Sequence, residues 1–169
     1  MRFGPGAVSL FIKVMLITNV GIFILQKMIG PQFTLWFGLI PQFFFAQFPN
    51  YIYQIFTYMF LHGDFWHLLF NMFMLWMFGT SVEHALGTRS FARLYFLSGI
   101  AGAILSLMTQ AFFPTVAIVG ASGAIYGILI AYWLKFPDRM LYIYFLFPVK
   151  VSNFVTGNTP KPGPKRRFA

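Results

Sequence analysis

Two stretches hold polar side chains arranged as a reaction would need them. VGASGAIYG, from Val119 to Gly127, sets one serine, Ser122, in a run of small and apolar residues. LHGDFWHLLFN, from Leu61 to Asn71, sets His67 and Asn71 four residues apart with His62 just ahead of them. On a helix, residues four apart share a face, so His67 and Asn71 would offer a ring N–H and a carboxamide side by side. An alcohol meeting such donors has the parts that acyl transfer uses: a nucleophile, and hydrogen-bond donors for the oxygen that becomes negative in the tetrahedral intermediate. The same residues also have readings without chemistry. Gly123, Gly127 and Ala131 form a small-residue stripe that lets helices approach closely, Asn71 could be an interhelical clamp, and His67 a buried imidazole with its hydrogen bonds satisfied. The G-x-S-x-G elbow of soluble hydrolases is not present, because Ala124 stands where its second glycine belongs. The chain has no cysteine, which excludes disulfides, thiolate metal sites and a cysteine nucleophile.

The sequence around these groups reads as membrane helices. Of 169 residues, 59% are hydrophobic, 21% aromatic and only 9% charged, a balance that a soluble core of this size could not bury but that a bilayer accepts on every face of a helix. The sequence predicts spans at about 7–28, 65–82, 90–111 and 122–136, the fourth being the shortest. The first run is too long for the core of a signal peptide and has no clear small-x-small cleavage site, so it reads as a retained helix. Between the first two spans, residues 30–64 are rich in Phe, Tyr and Trp and broken by Pro31, Pro41 and Pro49. That composition suits a loop lying in the headgroup region rather than a further span.

Basic residues set the orientation. Arg2, Lys13, Arg89, Arg93, Lys135, Arg139 and Lys150 lie at one set of span ends, and Lys27 is the exception. The positive-inside rule then puts the N terminus and the Arg89 loop in the cytoplasm, with the aromatic loop and residues 110–121 outside. His67, Asn71 and Ser122 would all sit near that outer end. The net charge of +9 needs no nucleic acid to explain it, since Lys161, Lys165, Arg166 and Arg167 belong to a tail and the rest flank the spans.

His62-x4-His67-x3-Asn71 on the second span, Glu83-x3-Gly87 closing it, FLSGIAGA in the third and Gly120-x-Ser122-Gly123 opening the fourth together resemble the rhomboid intramembrane serine proteases, in order and over roughly residues 8–150. FGLIP, Phe37 to Pro41, resembles the start of that family's long first loop. The resemblance implies an all-α polytopic membrane protein, a rhomboid-like helical bundle of which this chain holds the first four of six core transmembrane helices. It implies Ser122 as nucleophile, His67 and Asn71 with the Ser122 backbone N–H as the oxyanion site, and Gly120, Gly123, Tyr126 and His62 as support. Glu83 and Gly87 would be structural. Substrates would be transmembrane helices of other proteins, met in the lipid bilayer, with no metal or organic cofactor.

Two positions depart from the family pattern. Tyr53-Gln54 stands where a Trp-Arg pair is usual, which bears on a hydrogen-bond set in the first loop. The family's general base is a histidine of the sixth helix, whereas this chain has three histidines, none after the fourth span, and after PVKVSNFV it turns to TGNTPKPGPKRRFA. That stretch is proline-rich and basic and cannot span a bilayer. Lys135 is about 20 Å along the helix from Ser122, out of reach as a base, and His84 lies at the far end of the second span. The expectation is therefore a rhomboid domain over 1–150, a disordered tail over 151–169, residence in a bacterial inner membrane with a cytoplasmic N terminus, and an inactive endopeptidase, through truncation or frameshift. A pseudoprotease that binds transmembrane segments is the alternative, and a small transporter or channel a further one. Oligomeric state is not legible.

Overall fold

The computed structural model describes residues 7–109, 117–137, 140–143 and 147–150. Residues 110–116, Arg2, Arg139 and residues 151–169, on which part of the orientation and the tail expectation rest, lie outside the described residues. Contacts divide the chain into two units, Met1–Ala131 and Tyr132–Ala169.

The first unit is an all-α membrane bundle. Helix α1, Leu10–Ile29, starts where the Ser9 hydroxyl accepts from the Ile12 N–H and stops at Gly30, whose φ of 87° only glycine adopts easily. Pro31 then opens the short α2, Pro31–Phe37, and Pro41 opens α3, Pro41–Ala46, each proline at a position where no backbone donor is needed. The aromatic loop thus folds into short helices, continued by α4, Gln54–Thr57, and a 3-10 turn, Tyr58–Phe60, rather than into a span. Asp64 caps the next rod by accepting from the His67 N–H at 2.9 Å. This rod runs unbroken over Phe65–Leu86 as α5 (Phe65–Met74), a π-helical segment (Leu75–Gly79) and α6 (Thr80–Leu86). Gly87, at φ 79°, turns the chain into α7, Thr88–Thr109, and α8 covers Ser122–Lys135.

Among the described residues, α1, the Phe65–Leu86 rod and α7 are long and apolar enough to cross a membrane. Helix α8 has 14 residues, which rise about 21 Å, less than the thickness of a bilayer core. The core of the bundle is tight: Ile12, Leu39, Met59, Leu75, Phe91 and Tyr95 are fully buried. Large apolar side chains such as Leu10, Ile17, Met28 and Leu105 stay exposed, as the lipid-facing side of a membrane bundle requires. Glycines set the closest helix contacts. A Cβ on Gly127 would fall about 2.0 Å from Ser98 Oγ, and one on Gly123 about 3.3 Å from Gly102 Cα, so α8 lies almost backbone to backbone on α7. The small-residue stripe is therefore a packing surface, while Ser122 next to it remains exposed.

In the second unit, β1 (Met140–Ile143) and β2 (Phe147–Lys150) pair antiparallel, Met140 opposite Lys150 and Ile143 opposite Phe147. Pro148, Val149 and Lys150, the start of the PVKVSNFV stretch, thus lie in a strand. β-branched and aromatic residues favour that geometry, and Pro148 is tolerated because a two-stranded ribbon consists only of edges.

Candidate active site

The turn that presents Ser122 is held from both sides by the loop that follows α1. Ile118 exchanges two backbone hydrogen bonds with Leu39, at 2.8 and 3.1 Å, and the Gly120 N–H donates to the Tyr58 carbonyl at 2.9 Å. Gly120 has φ 120°, and a Cβ there would come within about 2.7 Å of Cε1 and Nε2 of His67. Glycine is required twice over, by the backbone angle and by the imidazole lying directly on it. From this turn Ser122 enters α8 and lines a cavity of about 200 Å³ together with Asn71, Tyr126, Phe70, Met74 and Ile125. Tyr126, one turn along from Ser122, is exposed on the same cavity.

Helix α5 supplies Asn71 to the lining of this cavity and His67, which is not in the lining, to the face of Gly120. One Asn71 amide proton goes to the His67 carbonyl at 2.7 Å, and a carboxamide has a second to offer. His67 Nδ1 accepts from the Gly63 N–H over a long 3.5 Å. In a neutral ring that leaves the proton on Nε2, the nitrogen lying against Gly120. His62 forms the wall behind it. The two rings meet edge to face with centroids 5.2 Å apart, and His62 has no solvent exposure. Its backbone N–H donates to Gln26 Oε1 at 3.1 Å, while neither ring nitrogen has a hydrogen-bond partner. Burial pushes the His62 imidazole down to about 4, with His67 acting in the same direction and the Phe60 carbonyl and Asp64 opposing. His62 is thus a neutral packing ring at pH 7.

The loop departure at Tyr53-Gln54 has its own hydrogen-bond set. Gln54, fully buried, donates to the Leu35 and Trp36 carbonyls at 3.3 and 3.2 Å and accepts from the Ile40 N–H at 3.4 Å, while the Tyr53 hydroxyl donates to the Trp36 carbonyl at 2.8 Å. Tyr58 is the residue that sequence reasoning missed. Besides holding Gly120, it donates its hydroxyl to the Gly99 carbonyl of α7 at 2.6 Å, beside the crossing of Gly102 and Gly123. Burial raises that phenol to about 12, so it remains a donor. One tyrosine in a loop crowded with aromatics carries no signal of this role, because the partners are backbone atoms distant in sequence.

At the other end of the rod, Glu83 is 4% exposed and accepts from the Ser9 and Thr88 hydroxyls, joining the start of α1 to the start of α7. The Gly87 N–H closes the helix on the Glu83 carbonyl at 2.8 Å. His84 Nδ1 lies 2.6 Å from the Thr80 carbonyl, also at this end. Lys135 stands in the last turn of α8. Among the described residues, no group of three or more His, Asp and Glu side chains is gathered to hold a metal.

A family model described as Rhomboid domain matches residues 49–159. Similar proteins include Rhomboid protein 1, mitochondrial, of Saccharomyces cerevisiae, 41% identical over 97 residues that make up 53% of this chain and 27% of that protein. Presenilin-associated rhomboid-like protein, mitochondrial, of Rattus norvegicus is 35% identical over 106 residues, 60% of this chain and 26% of its own length. Rhomboid-like protease 3 of Toxoplasma gondii is 32% identical over 105 residues, 57% of this chain and 39% of its own. The chain thus spans between about a quarter and two fifths of the length of these relatives.

Proposed function

The chain belongs to the rhomboid family, a family of multi-pass integral membrane proteins that are generally intramembrane serine proteases, and on that premise we propose that Ser122 is the nucleophile of a site for cleaving transmembrane segments. In this reading a substrate helix unwinds into the cavity shared by Ser122 and Asn71. The serine Oγ attacks the peptide carbonyl, and the carbonyl oxygen, as it becomes negative, accepts from the Asn71 amide, the His67 Nε2–H and the Ser122 backbone N–H. That last N–H is free of helix bonding because it lies in the first turn of α8. The observation that carries the reading is that one cavity is lined by Ser122 and Asn71, with the His67 ring seated on the glycine two residues before the serine.

A second reading is favoured by the state of the histidines. His62 is enclosed, His67 accepts from the Gly63 N–H and lies with Nε2 against Gly120, and His84 is bonded to Thr80 at the other end of the rod. In this second reading none of the three takes the Ser122 proton, and a serine hydroxyl without a base is a poor nucleophile. For the 169-residue polypeptide we therefore propose binding of transmembrane segments with acylation slowed by at least about 10²-fold. A fluorophosphonate probe on the purified polypeptide tests both readings. Slow labelling that Ser122→Ala abolishes and Asn71→Ala slows further by about 10²-fold is expected. Labelling undiminished by Ser122→Ala would sink the assignment, whereas fast Ser122-dependent labelling would sink only the slowed acylation. Photo-crosslinking to a transmembrane peptide that persists in Ser122→Ala is the result expected of the binding reading.

The site is proposed to open away from the cytoplasm, on the evidence of the lysines and arginines. The bacterial inner membrane expected from the sequence finds no support among the relatives, two of which carry mitochondrial names.

A further inference from the structure

Among the described residues, a cation in the last turn of α1 is left without a carboxylate. Lys27 lies in the last turn of the helix, donates to the Gly63 carbonyl at 3.1 Å and sits 4.9 Å over the Phe23 ring. Both contacts are neutral, and among the described residues no acidic side chain pairs with it. The chain has only three Asp and Glu residues. Of these, Asp64 caps α5 and Glu83 serves two hydroxyls at the other end of the rod. Lys27 is also the one basic residue that the positive-inside rule does not account for.

Beside Lys27 is an open-mouthed cavity of about 600 Å³, lined by Gln26, Thr34, Leu35, Gly63 and Val119 among others. Its polar part is one cation with a carboxamide and a hydroxyl, and its remaining walls are apolar. Because α1 is a candidate span and Lys27 is in its last turn, the mouth lies at headgroup depth. We propose that this cavity binds the phosphate of an anionic phospholipid headgroup, with Lys27 Nζ as its charged partner and Leu35 and Val119 against the glycerol and first methylenes. Lysine serves here as a point charge for a phosphate, and the low polarity around it strengthens that attraction. The bound lipid would touch Gly63 and Val119 together, and so would brace the loop ahead of His67 against the segment that leads to Ser122. This site does not depend on the catalytic reading.

The test is native mass spectrometry of the full chain released from nanodiscs of phosphatidylcholine containing about one fifth phosphatidylglycerol. The expected result is retention of one phosphatidylglycerol in preference to phosphatidylcholine, reduced about 5-fold or more in Lys27→Gln, preserved in Lys27→Arg and reduced in Leu35→Trp, which fills the cavity and leaves the charge. Helical circular dichroism on the same samples separates loss of binding from loss of fold. Equal retention by wild type and by folded Lys27→Gln or Leu35→Trp overturns the site. Displacement of the lipid by millimolar inorganic phosphate overturns the headgroup as its occupant.

Discussion

The rod Phe65–Leu86 carries polar side chains at both ends, and they are treated in opposite ways. At the Glu83 end the acceptors of that residue are committed: both carboxylate oxygens receive hydroxyl protons, and the Gly87 N–H closes the helix on the Glu83 carbonyl. At the other end Asn71 is equally buried but lines a cavity, with one amide proton bonded and another to offer, and His67 turns a ring nitrogen toward the serine turn. Burial of a polar group in a membrane protein is therefore not in itself a sign of function. What separates the two ends is whether hydrogen-bonding capacity is used up by the protein or left facing a space that a ligand can enter.

The strongest way to break this contrast is Glu83→Ala. It removes a carboxylate that receives two hydroxyls and joins two helix starts, and such charge-assisted bonds contribute about 1.5–3 kcal/mol each. Thermal unfolding in detergent is expected to show a loss of about 3–5 kcal/mol, with Glu83→Gln intermediate. Fluorophosphonate labelling per folded molecule should stay unchanged, because the carboxylate is at the opposite end from Ser122. A folded Glu83→Ala protein that had lost Ser122 labelling would show that the two ends are coupled, and the contrast would fall.

Protonation of His62 probes the opposite end from Glu83. Its folded value of about 4 lies below the ordinary 6.5, so between these values an unfolded chain binds a proton that the folded one refuses. The stabilisation is complete above about pH 6.5 and declines as pH falls toward 4, by at most about 3 kcal/mol. The measurement is the difference between wild type and His62→Gln, which isolates the contribution of this imidazole. The wild-type unfolding midpoint should drop more steeply between pH 6.5 and 4, and parallel profiles would mean that His62 is not held neutral by its surroundings.

Much of the fold was legible because helix length, apolar runs and caps are local properties. The second and fourth helices begin where the sequence puts them, at Phe65 and Ser122, and three spans follow from hydropathy alone. The family pattern picked out Ser122 and Asn71, and the structure lines one cavity with them. What holds them was not legible. The Leu39–Ile118 bridge and the Gly120 to Tyr58 bond join backbone atoms across long stretches of chain, and any side chain is compatible with a backbone hydrogen bond. The π-helical segment Leu75–Gly79 likewise has no residue signature, since it depends on packing against neighbouring helices. Tyr53-Gln54 shows the converse: the side chains depart from the family pattern, yet a hydrogen-bond set on the Trp36 carbonyl is formed from what is present.

The smallest expected effect, and the most specific, is that of Tyr58→Phe. The substitution keeps the ring and the carbonyl that holds Gly120, and deletes only the hydroxyl bonded to the Gly99 carbonyl at 2.6 Å. A buried neutral hydrogen bond contributes about 1 kcal/mol, so unfolding should shift by no more than that. If the hydroxyl merely adds stability, labelling of Ser122 in the folded protein is unaffected. If it fixes the distance between α7 and the turn before Ser122, as its place beside the Gly102–Gly123 crossing argues, the labelling rate of folded protein falls several-fold while stability barely moves. A split of that kind marks Tyr58 as a positioning residue of the Asn71 end. Equal small losses in both measurements would return it to the packing that Glu83 represents at the other one.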